Sequence, residues 1–317
     1  MKLLSSFLRL VRWPNLVFIA LTQLLFYYCI IIPSLPASYQ EQNFKLTPVL
    51  FYLLLTGSIL IAAAGYIIND YFDINIDLVN KPEKMVVQKI IKRRWAIFFH
   101  LVLTLAGLAL SWYVAINTSL LIIIANIFCT ILLWVYSTTF KKKLLSGNII
   151  ISLLTAWTVF VLYFATNTSI SLSPSSPSDI AAGMHRIYKF AALYAGFAFI
   201  ISLIREVVKD IEDREGDARY NCKTMPIVWG VPAAKVFVGV WLVVLIGALS
   251  VVQFYVFQIG WWMSALYGFL MVILPLIWIL SNFYKAQTTA QYHRISTMIK
   301  LVMLSGICSI LLLKIYA

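Results

Sequence analysis

The chain is short of charge. Asp, Glu, Lys and Arg make up 12% of its 317 residues, whereas a soluble domain carries about 25%. Hydrophobic residues reach 62%, and mean hydropathy is +0.90. No water-soluble globule can hide that much apolar surface, which excludes soluble enzymes, secreted disulfide scaffolds and disordered chains. Cysteine is scarce too. Cys29, Cys129, Cys222 and Cys308 are far apart and show no metal-ligand spacing, so all four are expected to stay unpaired and without a redox role. No small-residue cleavage site follows the first apolar run, which is therefore expected to persist as a helix. An Asp-x-Asp-x-Asp-Gly run is absent as well, which excludes an EF-hand.

What is there is long apolar runs. Crossing about 30 Å of hydrocarbon takes about 20 helical residues. Nine runs qualify, near 14–33, 49–68, 96–115, 119–136, 148–166, 189–205, 234–256, 261–280 and 298–316. Their all-round apolarity excludes a β-barrel, whose strands would alternate. The expected fold is all-α: a polytopic membrane protein with nine transmembrane helices around a central cavity. The short links near Asn117 and Gly260 make those helix pairs antiparallel neighbours. Pro14 and Pro275 are the main expected irregularities.

The loops carry the sidedness. Of the 25 Lys and Arg residues, 21 fall on one side: the N-terminus, the 81–94 loop, Lys141 to Lys143, the stretch from Arg205 to Lys235, and Lys285, Arg294 and Lys300. Only Lys45, Arg186, Lys189 and Lys314 fall on the other. The skew predicts a cytoplasmic N-terminus and a C-terminus outside. The net charge of +13 is then a membrane-protein bias and not a sign of nucleic-acid binding. Asn117 and Asn167 each begin a glycosylation sequon on the expected outer side.

The acids are more informative than the cations. Ten of the twelve lie in two cytoplasmic segments, with Asp70, Asp73, Asp77 and Glu83 after the second run, and Glu206, Asp210, Glu212, Asp213, Glu215 and Asp217 after the sixth. The segments align, NDYFDINID at 69–77 on KDIEDREGD at 209–217, with aspartates coinciding at 70/210, 73/213 and 77/217. Each pair is 140 residues apart, and the interval holds four runs, so both copies emerge on one face. This reads as two repeated four-helix units plus one helix. On a helix, Asn69, Asp73 and Asp77 form one stripe, and Asp213 with Asp217 forms its match; Asp70 and Asp210 point elsewhere.

Such stripes are awkward by themselves. Carboxylates about 6 Å apart repel by roughly 3 kcal/mol at an effective dielectric near 20. Aspartates at helix C-termini also oppose the helix dipole. A cation between the stripes relieves both, and hard oxygen ligands without Cys or His suit Mg²⁺. Mg²⁺ usually shares a few carboxylates with waters and substrate phosphates, which points to a phosphorylated, lipid-like substrate. The competing reading of these acids is ordinary loop residues paired with neighbouring lysines.

At these residues the sequence resembles the UbiA superfamily of intramembrane prenyltransferases. Asn69, Asp73 and Asp77 match its Asn-x-x-x-Asp-x-x-x-Asp motif, and Asp213 and Asp217 match its Asp-x-x-x-Asp motif. Tyr136-Ser137 with Lys141-Lys142 resembles a third feature, and Arg12 with Asn15 an N-terminal Arg-x-x-Asn. The resemblance covers essentially the whole chain. It implies one domain over 1–317, with Asp-rich cytoplasmic segments at 69–95 and 205–232, that transfers a polyprenyl group from its diphosphate. It implies that Mg²⁺, held by Asn69, Asp73, Asp77, Asp213 and Asp217, bridges the Asp stripes to the diphosphate. The same likeness assigns Lys141, Arg12, Asn69 and Tyr136 to the diphosphate and the cation formed from it. REVVKDIEDREGD, followed by KTMPIVWG, looks most like the branch that transfers geranylgeranyl to a glycerol-phosphate ether lipid. It shares features with homogentisate and chlorophyll-type relatives, so an aromatic acceptor (4-hydroxybenzoate, dihydroxynaphthoate or homogentisate type) is the alternative. NKPEKMVV at 80–87 departs from the Arg-Pro-Ile-Pro-Ser-Gly of many relatives. Glu206 and Lys209 can contact the acceptor or pair with each other, and pairing is the expectation. Two other classes compete: an ion-coupled transporter, which should carry ionisable groups near the bilayer midplane, and a cation-binding scaffold, which gives no reason for paired stripes.

Overall fold

The computed structural model describes residues 2–80, 82, 85–166 and 178–316. The Asn167 sequon, and Lys81, Glu83 and Lys84 of the first acidic segment, lie outside the described residues. Among the described residues nine helices are long and apolar enough to cross a membrane: α1 (Trp13–Ser34), α2 (Pro48–Phe72), α3 (Arg93–Asn117), α4 (Leu120–Thr138), α5 (Ser146–Thr166), α6 (Asp179–Glu212), α7 (Gly230–Gln258), α8 (Trp262–Lys285) and α9 (Thr289–Leu313). The four cysteines are free, as expected.

Two helices outrun their apolar stretches. α9 begins at Thr289, well before the run near 298, because Thr288 and Gln291 close a capping box that starts a polar first turn. α6 continues to Glu212, since neither Gly nor Pro interrupts it after Arg205. Prolines act locally. Pro14 sits in the first turn of α1, where a missing N–H costs nothing. The expected irregularity at Pro275 is real: a π-helical turn, Phe269–Ile273, precedes it. An unexpected second one, Tyr27–Ile31, precedes Pro33. In both, the proline removes an i→i−4 bond and the backbone widens around the gap.

The helices form an inner ring around one cavity. Residues of α1, α2, α4, α5, α6 and α9 line it, while α3, α7 and α8 contribute none. The outer helices accordingly face lipid: 22% of the most apolar stretch of α3 and of α7 is buried, against 56% for α2. α3 backs α2 closely because Gly107 meets Gly57; a Cβ on Gly107 would lie 3.1 Å from the Gly57 carbonyl. Buried amides tie the ring together. Gln23 of α1 donates to Ser58 of α2 (3.2 Å) and to the Thr158 carbonyl of α5 (3.0 Å). Asn126 of α4 donates to Ser111 of α3 (2.9 Å) and accepts from the Trp157 indole of α5 (3.0 Å). The apolar core forms two large clusters, one centred on α1, α2 and α5 that also takes in the outer ends of α6 and α9, the other built from buried residues of α6 to α9 and their links.

Candidate active site

Both Asp motifs break their helix at the same point. α2 ends at Phe72, Asp73 takes φ −87° and ψ −1°, and a short helix, Ile74–Asn80, follows. In the other repeat Asp213 takes φ −92° and ψ 6°, and Arg214–Arg219 follows. The straight three-turn stripe expected from spacing is therefore a bent one. Four-residue hydrogen bonding survives the bend, from Asp73 N to the Asn69 carbonyl (3.0 Å) and from Asp77 N to the Asp73 carbonyl (2.8 Å). The physical gain is electrostatic. A continuous helix would hold Asp77 and Asp217 at its negative end; the break puts each in the first turn of a new helix, where the dipole favours a carboxylate.

The two short helices pack against each other, and one side chain pins them. Asn80 Nδ2 donates to the Asp213 carbonyl (3.0 Å), and Asn80 Oδ1 accepts from Gly216 N (2.9 Å). Asn69, Asp73, Asp77, Asp213 and Asp217 consequently line one cavity of about 700 Å³, with Arg12, Tyr136 and Lys141. Every residue assigned to the metal or the diphosphate from the sequence lines this one hollow, whereas Ser137 and Lys142 of the third feature do not. Asp73 and Asp217 are buried. Lys141, in the turn Phe140–Lys142, pairs with Asp73 Oδ2, which also accepts from Asn69 Nδ2 (2.7 Å). Burial is the largest influence on Lys141 and opposes its charge, but Asp73, Tyr136 and Asp77 together outweigh it and carry the ammonium above the ordinary lysine range. Burial, reinforced by the Asp73 charge, pushes Asp77 up to about 6.

Two expectations need correction. Asp70 and Asp210 do not point away; both line the cavity. Asp70 pairs with Arg12 (2.6 Å), whose left-handed backbone at φ 51° turns the chain from the helix Lys2–Leu10 into α1. Asp210 accepts from Asn148 of α5 (2.8 Å). Both lie ahead of the bends, within α2 and α6, and the hollow is wide enough to take in more than one face of each helix. Glu206 and Lys209 do pair (3.1 Å), with Arg205 joining Glu206 (3.1 Å). Spacing also missed that Arg205, Lys209 and Lys300, counted with the loop cations, lie within α6 and α9 and face the cavity. A cation inside a spanning helix was the signal available for them.

Residues 30–304 match the profile of the UbiA prenyltransferase family. The chain belongs to that family. Among similar proteins is the digeranylgeranylglyceryl phosphate synthase of Saccharolobus solfataricus, 28% identical over 312 residues, covering 98% of this chain and 96% of the relative. The synthase of the same name from Methanothermobacter thermautotrophicus is 30% identical over 258 residues, covering 80% and 82%. Solved structures share the fold. One concerns digeranylgeranylglyceryl phosphate synthase in membranes (TM-score 0.59, 22% identity, 98% and 99% covered). Another is a UbiA homolog from Archaeoglobus fulgidus bound to GPP and Mg²⁺ (TM-score 0.57, 16% identity, 96% and 99% covered). Transporter and scaffold readings end here: the chain is a UbiA prenyltransferase.

The donors of this UbiA prenyltransferase suit a hard, shared cation. Asn69 Oδ1 is buried with no hydrogen-bond partner, an oxygen aimed at nothing the protein supplies. Among the described residues no three His, Cys, Asp or Glu side chains converge into a cage. Carboxylate and amide oxygens such as these are donors that Mg²⁺ accepts, and it completes its octahedron with waters and phosphates. Tyr136, the one aromatic singled out from the sequence, lines the chamber together with Phe18, Tyr66, Trp157, Tyr194 and Phe197.

Proposed function

We propose that this UbiA-family enzyme transfers a geranylgeranyl group from its diphosphate to geranylgeranylglyceryl phosphate. The observation that carries the reaction is one cavity with paired Asp motifs and Lys141 at its polar end and an aromatic, apolar remainder. The acceptor rests on the relatives, which are named as synthases of digeranylgeranylglyceryl phosphate, the product such a transfer gives. Asn69, Asp73, Asp77, Asp213 and Asp217 are the residues that would hold Mg²⁺, which supplies charge neutralisation of the diphosphate leaving group. Lys141 and Arg12 add positive charge at the same end, where a low-dielectric wall strengthens it. The allylic C–O bond breaks, and diphosphate leaves with the electron pair. The chamber keeps the resulting carbocation from water, and faces such as Tyr136 stabilise it by about 0.5–2 kcal/mol each. The acceptor hydroxyl attacks the allylic carbon, giving the ether, diphosphate and a proton. The N-terminus and both Asp motifs are cytoplasmic in this reading, and the C-terminus is outside.

Incubating purified protein with labelled geranylgeranyl diphosphate and a panel of acceptors tests this. The panel holds geranylgeranylglyceryl phosphate, 4-hydroxybenzoate, dihydroxynaphthoate and homogentisate. The expected labelled product is the diether phosphate. Product from an aromatic acceptor alone overturns the acceptor while leaving the reaction class intact.

A further inference from the structure

The cavity is lined by cations beyond Lys141 and Arg12. Lys141 and Arg12 each close on a motif aspartate, Asp73 and Asp70. A second basic group belongs to α6 and α9. Lys300 lies within α9, a membrane-spanning helix, yet no carboxylate pairs with it among the described residues. Its ammonium donates to the neutral side-chain oxygen of Asn15 (2.7 Å) and sits over the Phe18 ring (5.3 Å). The charges that act on it most are positive: Arg205, Lys209 and Arg12. Arg205 and Lys209 both donate to Glu206, and Arg205 Nε is buried with no hydrogen-bond partner. The nearby Asp210 is engaged by Asn148 on the α5 side.

An unpaired ammonium beside two further cations in a largely apolar chamber is unfavourable by itself, for desolvation and like-charge repulsion add. An anion relieves both. Arg205, Lys209 and Lys300 approach from two helices with an arginine fork and two ammonium groups, which suits an anion with several oxygens. On α6, Lys209 and Arg205 precede Asp213 by one and two helical turns, about 6 and 12 Å deeper along the axis. Arg205 and Lys209 therefore lie deeper than the second Asp motif and, with Lys300, open into the same hollow.

We infer that Arg205, Lys209 and Lys300 form the subsite for a phosphate monoester on the acceptor, with Lys300 as its specificity-determining charge. The inference deepens the proposed function and rests on its acceptor being a phospholipid precursor. A phosphate monoester brings about two negative charges and three strong acceptor oxygens. Holding it there fixes the acceptor by its headgroup and leaves its hydroxyl free to reach the allylic carbon.

Steady-state kinetics on the purified enzyme separates the possibilities. Lys300→Gln is expected to raise KM for geranylgeranylglyceryl phosphate by about tenfold or more, with KM for geranylgeranyl diphosphate within about twofold. Lys300→Arg, which keeps the charge, should recover most of the loss. With the dephosphorylated acceptor, geranylgeranylglycerol, wild type and Lys300→Gln should perform alike. Equal rises in both KM values, or the same loss with the alcohol acceptor, would overturn the subsite and give Lys300 to the diphosphate or to packing. A wild-type enzyme indifferent to the acceptor's phosphate would overturn the acceptor reading itself, whatever Lys300→Gln does.

Discussion

The buried carboxylates of the two Asp motifs work against the protein unless something positive meets them. Asp73 has Lys141 and the Asn69 amide; Asp77 is half-buried beside Asp73, and its pKa is raised to about 6. The folded chain therefore binds an extra proton at Asp77 between the unfolded value near 4 and about 6. Stability from that group is present at acid pH and is lost as pH rises through this window. A divalent cation reverses the penalty by favouring the ionised form. Thermal unfolding in detergent should show a larger Mg²⁺-induced rise in Tm at pH 7.5 than at pH 5. An equal rise at both would remove Asp77 from the ion site. Replacing Asp73 or Asp217 by Ala should slow Mg²⁺-dependent release of diphosphate by at least about 10²–10³-fold with expression retained. Near-wild-type turnover in both variants would sink the assigned roles.

At the scale of elements, the breaks at Asp73 and Asp213 show what spacing alone could and could not give. The positions of the aspartates, their 140-residue repeat and their common face were legible, because hydropathy counts helices and helix parity fixes sides. The bend was not, since a four-residue spacing reads the same on a straight helix and across a turn that keeps its i→i−4 bonds. Asn80, in the stretch that departs from the family's usual sequence, carried no signal either; its partners are backbone groups of the other repeat. Those bonds make a prediction. Asn80→Ala leaves the Gly216 N–H and the Asp213 carbonyl without their partner, a cost of about 1–3 kcal/mol. Gly216→Ala drives a Cβ to within 2.2 Å of Asn80 Oδ1 and expels the same side chain. Each variant should raise the Mg²⁺ concentration for half-maximal activity about tenfold, and the double variant no further, because both remove one interaction. Additive effects would mean that Asn80 does not hold the motifs together.

The whole molecule keeps its charge at one end, and that asymmetry is the most directly testable consequence of the fold. Two four-helix units with an even helix count return both Asp motifs to one end, beside the turn Phe140–Lys142, where the Lys223 amide donates to the Lys142 carbonyl (2.7 Å). The α8–α9 link closes that same end, with Lys235 donating to the Tyr284 and Ala286 carbonyls (3.0 and 2.5 Å). The opposite end holds Lys45, Arg186 and Lys189, and apolar flanks of helices such as α3 and α7 lie between. Loop cations anticipated this end-to-end division. They also overcounted it, because Arg205, Lys209 and Lys300 belong to the chamber and not to loops. The bias that orients a membrane protein survives their removal, since the 89–94 and 141–143 stretches remain on the charged side. Lys285 and Lys45 are exposed at opposite ends and report the outcome. With the four native cysteines replaced, Lys285→Cys should react with a membrane-impermeant maleimide in inside-out vesicles only, and Lys45→Cys in right-side-out cells only. Reversed labelling would put the Asp motifs outside, where a diphosphate made in the cytoplasm could not reach them without crossing the bilayer.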